Sequence, residues 1–322
     1  MSRPRIVVLG AGGFVGRRMV AALAASGRHV PVAALRRPAT GLLSGVEQVT
    51  VDATSAESLA AALAGADGVV NSIAGSRAAI LGNARALAAW AATRPDRPSI
   101  VHLSTMSVYG AQRGRVAEDA APGAVLDDYG DAKWQAECLL APVAGLTMLR
   151  PGIVYGPDSP LWSGLIGELL LAGRLGDLGA AGAGCCNLVH VDDVAAAVLH
   201  ALDRPAPLGR VCNLAIDAAP SWNQYFAAFG SALGLGEVPA IGSARLALEL
   251  RLYGPLLKVG EKLGMRRLPP AIRPWLTRLC RDDTRLDGSR SAAELGFRHR
   301  PLAEGLADTA AWFRQRREGL RA

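Results

Sequence analysis

Six short apolar runs rich in Val, Ile and Leu recur across the first half of the chain. They are residues 5–10 (RIVVLG), 29–35 (HVPVAAL), 46–51 (VEQVTV), 67–73 (DGVVNSI), 99–104 (SIVHLS) and 145–149 (GLTML). Ala-rich segments with helical spacing separate them, at 14–26, 55–64, 77–93 and 128–141. A strand with one wet face alternates apolar and polar residues, whereas a near-continuous apolar run must be covered on both sides. Strands of that kind alternating with helices predict an α/β fold, a Rossmann-type doubly wound parallel sheet between two helical layers.

The first run breaks into GAGGFVG at residues 10–16, four glycines in seven positions. The spacing that closes is G-x-x-G-x-x-G, on Gly10, Gly13 and Gly16. Gly10 permits a tight turn out of the strand, and Gly13 lets the backbone approach a pyrophosphate. Gly16 lets the following helix lie close to the sheet, so that its positive end, at Phe14 and Val15, faces the anion. A dinucleotide cofactor is therefore expected. At the end of the second strand, an acid would grip the ribose 2′-hydroxyl of NAD, and an arginine would accommodate the 2′-phosphate of NADP. The chain has LRRP there, with Arg36 and Arg37 and no carboxylate. NADP is the expected cofactor and NAD the alternative. Asp52 and Ala53, after the third strand, are placed to meet the adenine edge, although Asp52 could equally cap the next helix.

The most specific motif is YGDAK, Tyr129 and Lys133. Positions i and i+4 of a helix share a face, so phenol and ammonium can point into one cleft. Proton transfer by a tyrosine near neutral pH asks for a downward shift of about three pKa units, roughly 4 kcal/mol, which a nearby cation can supply. With five tyrosines and three lysines in 322 positions, chance alone is expected to produce about 0.05 such pairs. Upstream, STMSVYG ends the fifth strand, and parallel α/β sheets keep ligands at that edge. Ser104 and Thr105 put hydroxyls there, one of which can hydrogen-bond a substrate oxygen as its charge changes.

Beyond residue 156 the rhythm loosens. NLVHV and RVCNLA look like further short strands, SGLIGELLLAG reads as a helix, and the text from 218 is helical with prolines at 255, 269, 270 and 274. The expected division is a dinucleotide-binding domain, 1–156 with 188–217, and a smaller, mainly helical C-terminal substrate lobe, 157–187 with 218–322. That lobe carries Leu161, Trp162, Leu165, Ile166, Leu169, Leu246, Leu250 and Tyr253, which serve either as core or as an apolar substrate wall.

The net charge of +7 does not require nucleic acid. Residues 243–281 hold nine Lys or Arg and two Glu, so the surplus is local, and no aromatics are interleaved to stack bases. A local basic lid is expected instead. The five cysteines are odd in number and lack a CxxC pair, against both a disulfide framework and structural zinc. His190 with Asp192 and Asp193 is explained by a strand end and a helix cap, so no metal is expected. Every apolar run is interrupted too early to span a bilayer. Arg17 and Arg18 cut the N-terminal one, and its four glycines suit a turn better than the apolar core of a signal peptide. A cytoplasmic protein with no membrane span is the expectation.

The motifs G-x-x-G-x-x-G, STMSVYG, Y-x-x-x-K, LRPGIVYGP, VHVDDVA and a late ELGF segment follow one another in order. Together they resemble the extended short-chain dehydrogenase/reductase superfamily, often labelled NAD-dependent epimerase/dehydratase, over essentially the whole length. The resemblance implies a catalytic set of Thr105, Tyr129 and Lys133, with Ser104 structural. Lys133 would also hold the nicotinamide ribose, Ala74 would line the cofactor, and the backbone from Pro151 to Ile153 would meet the carboxamide. It also implies a homodimer formed through helices that include the Tyr–Lys helix. Dehydratases of the family follow the threonine with Asp-Glu; here Met106 and Ser107 follow, so dehydration is excluded. Sugar-nucleotide epimerases commonly have asparagine where this chain has Ile153, which weakens a sugar-nucleotide substrate. The expectation is an enzyme, a reductase or dehydrogenase acting with NADP(H) on the carbonyl or secondary alcohol of a small-molecule substrate. A nucleotide-sugar epimerase retaining NAD is the alternative. A non-catalytic NADP-binding scaffold is disfavoured by the complete Thr–Tyr–Lys set.

Overall fold

The computed structural model describes residues 2–96, 98–110, 112–123, 127–257 and 270–319. The chain runs β1 (Arg5–Leu9), α1 (Phe14–Ser26), β2 (Val30–Leu35), β3 (Glu47–Thr50), α2 (Ala56–Ala62), β4 (Gly68–Asn71), α3 (Arg77–Ala92) and β5 (Ser99–Leu103). It continues through β6 (Gly114–Val116), α4 (Asp128–Leu140), β7 (Leu146–Pro151), β8 (Ile153–Tyr155), α5 (Ile166–Leu171), β9 (Leu188–His190), α6 (Val191–Leu202) and β10 (Val211–Leu214). The remainder is α7 (Trp222–Ala232), α8 (Ser243–Leu248), α9 (Pro274–Leu279), β11 (Thr284–Leu286), α10 (Ser289–Leu295) and α11 (Leu302–Gly319).

Seven strands form one parallel sheet in the order β3-β2-β1-β4-β5-β7-β10. This is the expected doubly wound sheet. Its strands are apolar throughout because both faces are covered. Ile6 and Val8 pack with Met19, Leu23, Val194 and Val198 of α1 and α6. Val7 and Leu9 turn to the opposite face, among Leu59, Ile80, Leu87 and Leu140 of α2, α3 and α4. The connections reverse direction between β1 and β4, which opens a crevice at the carboxyl ends of those strands.

A second apolar cluster holds Ile153 and Tyr155 of β8, Leu188 of β9, and α5 and α7, with Leu306 and Ala310 of α11. Its centre is aromatic: Trp222, Tyr225, Phe226 and Phe229 of α7 are all fully buried, and Phe313 closes on Phe229 edge to face. The boundary with the sheet is not a single crossing. Leu295 and Phe297, late in the chain, pack in the sheet-side cluster, and β11 pairs in parallel with β6. Two buried asparagines seal this return. Asn187 donates to the Thr284 carbonyl and accepts from the Leu286 N–H. Asn213 donates to the carbonyls of Val116 and Asp287. Among the described residues no helix is long and apolar enough to cross a membrane.

Candidate active site

The glycine turn has the geometry its spacing demands. Gly10 leaves β1 at φ +80°, and a Cβ there would lie 2.9 Å from Ser72 Oγ. Gly16 sits in the first turn of α1, where a Cβ would come 2.1 Å from the Gly10 carbonyl oxygen. No side chain larger than hydrogen fits. Gly13 caps α1 with no side chain to satisfy the first-turn N–H groups, and that turn holds no acid. Phe14 and Val15 therefore open the helix with its positive end uncapped beside the β1–β4 crevice. These features fit a dinucleotide pyrophosphate.

Arg36 and Arg37 follow directly on β2, are exposed, and make no ion pair within 4.0 Å among the described residues. Asp52 is exposed nearby. Hydrogen bonds from the Thr54 hydroxyl and N–H hold its carboxyl below the ordinary value, with a smaller contribution from Arg36. The cap of α2 itself is Ser55, which accepts from the Ser58 N–H. Ala53 is buried and its carbonyl accepts from Asn83.

Tyr129 and Lys133 lie in the first half of α4, which begins on the cap Asp127, an acceptor from the Gly130 N–H at 2.7 Å. Gly130 lets the helix press on the short turn Met106–Tyr109. A Cβ there would be 2.7 Å from the Ser107 carbonyl oxygen. That contact packs α4 on the turn that Thr105 caps by accepting from the Ser107 N–H. Lys133 is 2 % exposed and donates to the carbonyls of Ile73 at 2.8 Å and Leu103 at 2.7 Å. Its ammonium thus sits at the carboxyl ends of β4 and β5, with Ala74, the residue after Ile73, exposed at the rim. Two of its three N–H donors are used, which leaves one for the crevice.

The electrostatics of the pair differ from the sequence expectation. Burial lowers Lys133 to about 8, partly opposed by the Glu137 carboxylate. Tyr129 is 36 % exposed as a whole, but its phenol group is desolvated. That desolvation, with Asp127 adding to it, pushes it up to about 12. In the protein by itself the phenol is therefore raised, first by burial and then by the Asp127 carboxylate.

Thr105 is nearly buried, and its hydroxyl lies 3.3 Å from that of Ser107. The neighbouring Ser104 hydroxyl is buried with no hydrogen-bond partner among the described residues. Pro151 and Ile153 are buried at the end of β7 and the start of β8. The backbone donors there are committed: Gly152 N–H to the Leu214 carbonyl and Ile153 N–H to the Asn187 carbonyl. The Ile153 side chain points into the aromatic cluster.

The anchor of α4 was not among the expected features. Glu137, one turn beyond Lys133, is paired with Arg150 of β7, both nearly inaccessible. The same guanidinium donates to Tyr109 and the Glu118 carbonyl. An arginine inside an otherwise apolar strand was the available signal, since a buried charge needs a partner. His190, Asp192 and Asp308 do converge, with ligand atoms within 4.8 Å. However, Arg18 and Arg300 pair with Asp192, and Arg300 with Asp308. His190 Nδ1 accepts the Asp192 N–H as the cap of α6. A cation there would have to displace both guanidinium groups.

A model of the NAD dependent epimerase/dehydratase family matches residues 6–215. Sterol demethylase protein B of Methylococcus capsulatus is 27% identical over 342 residues, covering 96% of this chain and 98% of that protein. MoeE5, solved in complex with UDP-glucose and NAD, superposes with a TM-score of 0.68 at 25% identity, over 97% of this chain and 99% of its own. Human epimerase family protein SDR39U1 (isoform 2), solved with NADPH, shares the fold with a TM-score of 0.70 at 20% identity, over 95% of this chain and 99% of its own.

Proposed function

The chain belongs to the NAD dependent epimerase/dehydratase family, and from that premise we propose an NADP-dependent oxidoreductase acting on a carbonyl or secondary alcohol of an apolar small molecule. The observation that carries this is Lys133, buried with its ammonium on the Ile73 and Leu103 carbonyls at the carboxyl edge of the sheet, on the helix that carries Tyr129 and packs on the turn capped by Thr105. When bound, the nicotinamide supplies or accepts the hydride. Tyr129 transfers the proton at the substrate oxygen, and the Thr105 hydroxyl holds that oxygen in place as its charge changes. Lys133 turns its remaining N–H toward the cofactor ribose. Tyr129 is protonated at neutral pH, as a phenol ordinarily is, the form needed to reduce a carbonyl; its raised pKa makes it a weaker acid in the protein by itself.

Arg36 and Arg37, exposed and without ion partners among the described residues, favour a 2′-phosphate. A nicotinamide cofactor is consistent with NAD in MoeE5 and NADPH in human SDR39U1. The apolar character of the substrate is supported by Met106, which stands after Thr105 and packs on both the aromatic cluster and Tyr109. It is supported also by the likeness to a protein named for sterol demethylation. The second reading, an epimerase retaining NAD on a nucleotide sugar, is favoured by the likeness to MoeE5. The proposal includes a homodimer through α3 and α4, which pack against one another.

Tyr129→Phe is expected to lower turnover by at least about a hundredfold while leaving NADPH affinity within about twofold. Retained turnover would remove Tyr129 from the chemistry. Arg36→Ala is expected to weaken NADPH at least about tenfold relative to NADH, since it removes a phosphate partner; unchanged preference would reverse the cofactor assignment. An epimerase would instead purify with its dinucleotide and show no net change in nicotinamide absorbance during turnover.

A further inference from the structure

Six large apolar side chains are exposed among the described residues, and four of them lie together: Leu248, Leu252, Tyr253 and Leu256, each 46–57% exposed. All four belong to one helical rod. α8 runs without a break through a wide turn at Glu249–Tyr253, where the Gly254 N–H reaches back to the Glu249 carbonyl, and on to residue 257. The inner side of the rod is docked in the ordinary way. Leu246 is buried and Leu250 packs on the aromatic cluster. Glu249, 6% exposed, is held by Arg174. The outer side should then be polar, as on any surface helix. It presents leucine and tyrosine instead.

We infer that this face seats the protein on an anionic lipid surface, independently of the reaction assigned above. The charges around the patch are of one sign. Among the described residues of the rod the one carboxylate, Glu249, is neutralised by Arg174, leaving Arg245 and Arg251. Arg273 is one residue beyond Ile272, whose carbonyl approaches Gly254. An open groove of about 540 Å³ between Arg174, Arg245, Leu248 and Tyr253 continues the patch. Nine of the chain's 35 Lys and Arg fall within 243–281, against two Glu, so the whole surplus of +7 is gathered on this segment. Lys258, Lys262, Arg266 and Arg267 of the basic segment lie outside the described residues.

Exposed apolar side chains rimmed by arginine match the acyl boundary and headgroups of an acidic leaflet, and no spanning helix is needed. A second copy of the chain is a poorer occupant. A two-fold contact would bring both sets of arginines face to face, with no unpaired acid among the described residues of the rod.

The test is flotation of the purified full chain with phosphatidylcholine vesicles, with and without about a third phosphatidylglycerol. Binding is expected on the acidic vesicles only, and to weaken as salt is raised. Leu252→Glu with Leu256→Glu should reduce it at least about tenfold without lowering the thermal midpoint, since both side chains are already in water. Leu252→Ser with Leu256→Ser guards against a misfolded charge variant and should also weaken binding. Leu43→Glu, on an exposed leucine elsewhere, should leave it unchanged. Failure of the wild type to float, or equal flotation of all variants, would overturn the proposal. So would a wild-type dimer by sedimentation equilibrium that the double glutamate variant dissolves, which would give the face to a second copy.

Discussion

The sheet and the second lobe are both well buried, but they concentrate their packing differently. Only five of the chain's sixteen aromatic residues precede residue 150, and the remaining eleven follow residue 154. The sheet spreads its burial over many Val, Ile, Leu and Ala side chains repeated from one βα unit to the next. The lobe concentrates its own in Trp222, Tyr225, Phe226, Phe229 and Phe313, packed ring against ring. A core built of repeated small units tolerates the loss of any one. A core built around one helix face does not.

The sharpest way to break that contrast is to truncate one fully buried residue on each side. Trp222→Ala is expected to cost about 3–5 kcal/mol, and Val101→Ala about 1–2 kcal/mol, from lost transfer energy and the cavities left behind. Denaturant unfolding would read both. Equal losses would mean that the sheet is as dependent on single residues as the lobe, and the contrast would fail.

Much of this division was legible along the chain, for a physical reason. A βα unit states its structure locally: α1 covers residues 14–26 as its spacing implied, and the six apolar runs became strands with bounds shifted by one or two residues. The Tyr129–Lys133 spacing was legible for the same reason, since one helical turn fixes it. What escaped notice depends on residues far apart. β6 and β11 are three residues each and pair across more than 160 positions, so neither carries a pattern of its own. Asp308 joins His190 only when α11 folds back. The anchoring of α4 by Arg150 needed a partner on another element. The direction of the Tyr129 shift could not be foreseen either, because it turns first on how deeply the folded chain buries the phenol and then on Asp127.

Acid should probe both regions through their buried histidines. His190, at the join of β9 and α6, is lowered to about 4, first by burial and then by Arg300. His102, within the sheet, is also lowered, by burial and then by Lys133. A histidine depressed in the fold takes up its proton in the unfolded chain first. Stability is therefore intact above about 6.5 and falls as pH drops toward 4, by at most about 3 kcal/mol for His190. His190→Asn can keep the helix cap while removing the titration. Its unfolding free energy should vary less between pH 7 and pH 4.5 than that of the wild type; an unchanged slope would assign the acid loss to His102 and the sheet.

The smallest expected effect contrasts two helix starts. In the lobe, α7 begins with a complete capping box. Ser221 accepts from the Gln224 N–H, and the Gln224 side chain accepts from the Ser221 N–H at 2.7 Å. Both hydrogen bonds serve stability, so Ser221→Ala should cost about 1 kcal/mol and leave cofactor affinity alone. At α1, Gly13 sits at φ −79° with no side-chain cap, a conformation that serine adopts freely. A Cβ there would lie 3.3 Å from the Gly10 carbonyl oxygen, so Gly13→Ser should move the stability of the free protein by no more than a few tenths of a kcal/mol yet weaken the dinucleotide, because the new hydroxyl takes an N–H that the pyrophosphate would use. Titration of NADPH into both variants, beside their unfolding curves, separates the two roles. Should Gly13→Ser bind NADPH as tightly as the wild type, the open start of α1 would be an ordinary uncapped helix rather than the anion seat of the fold.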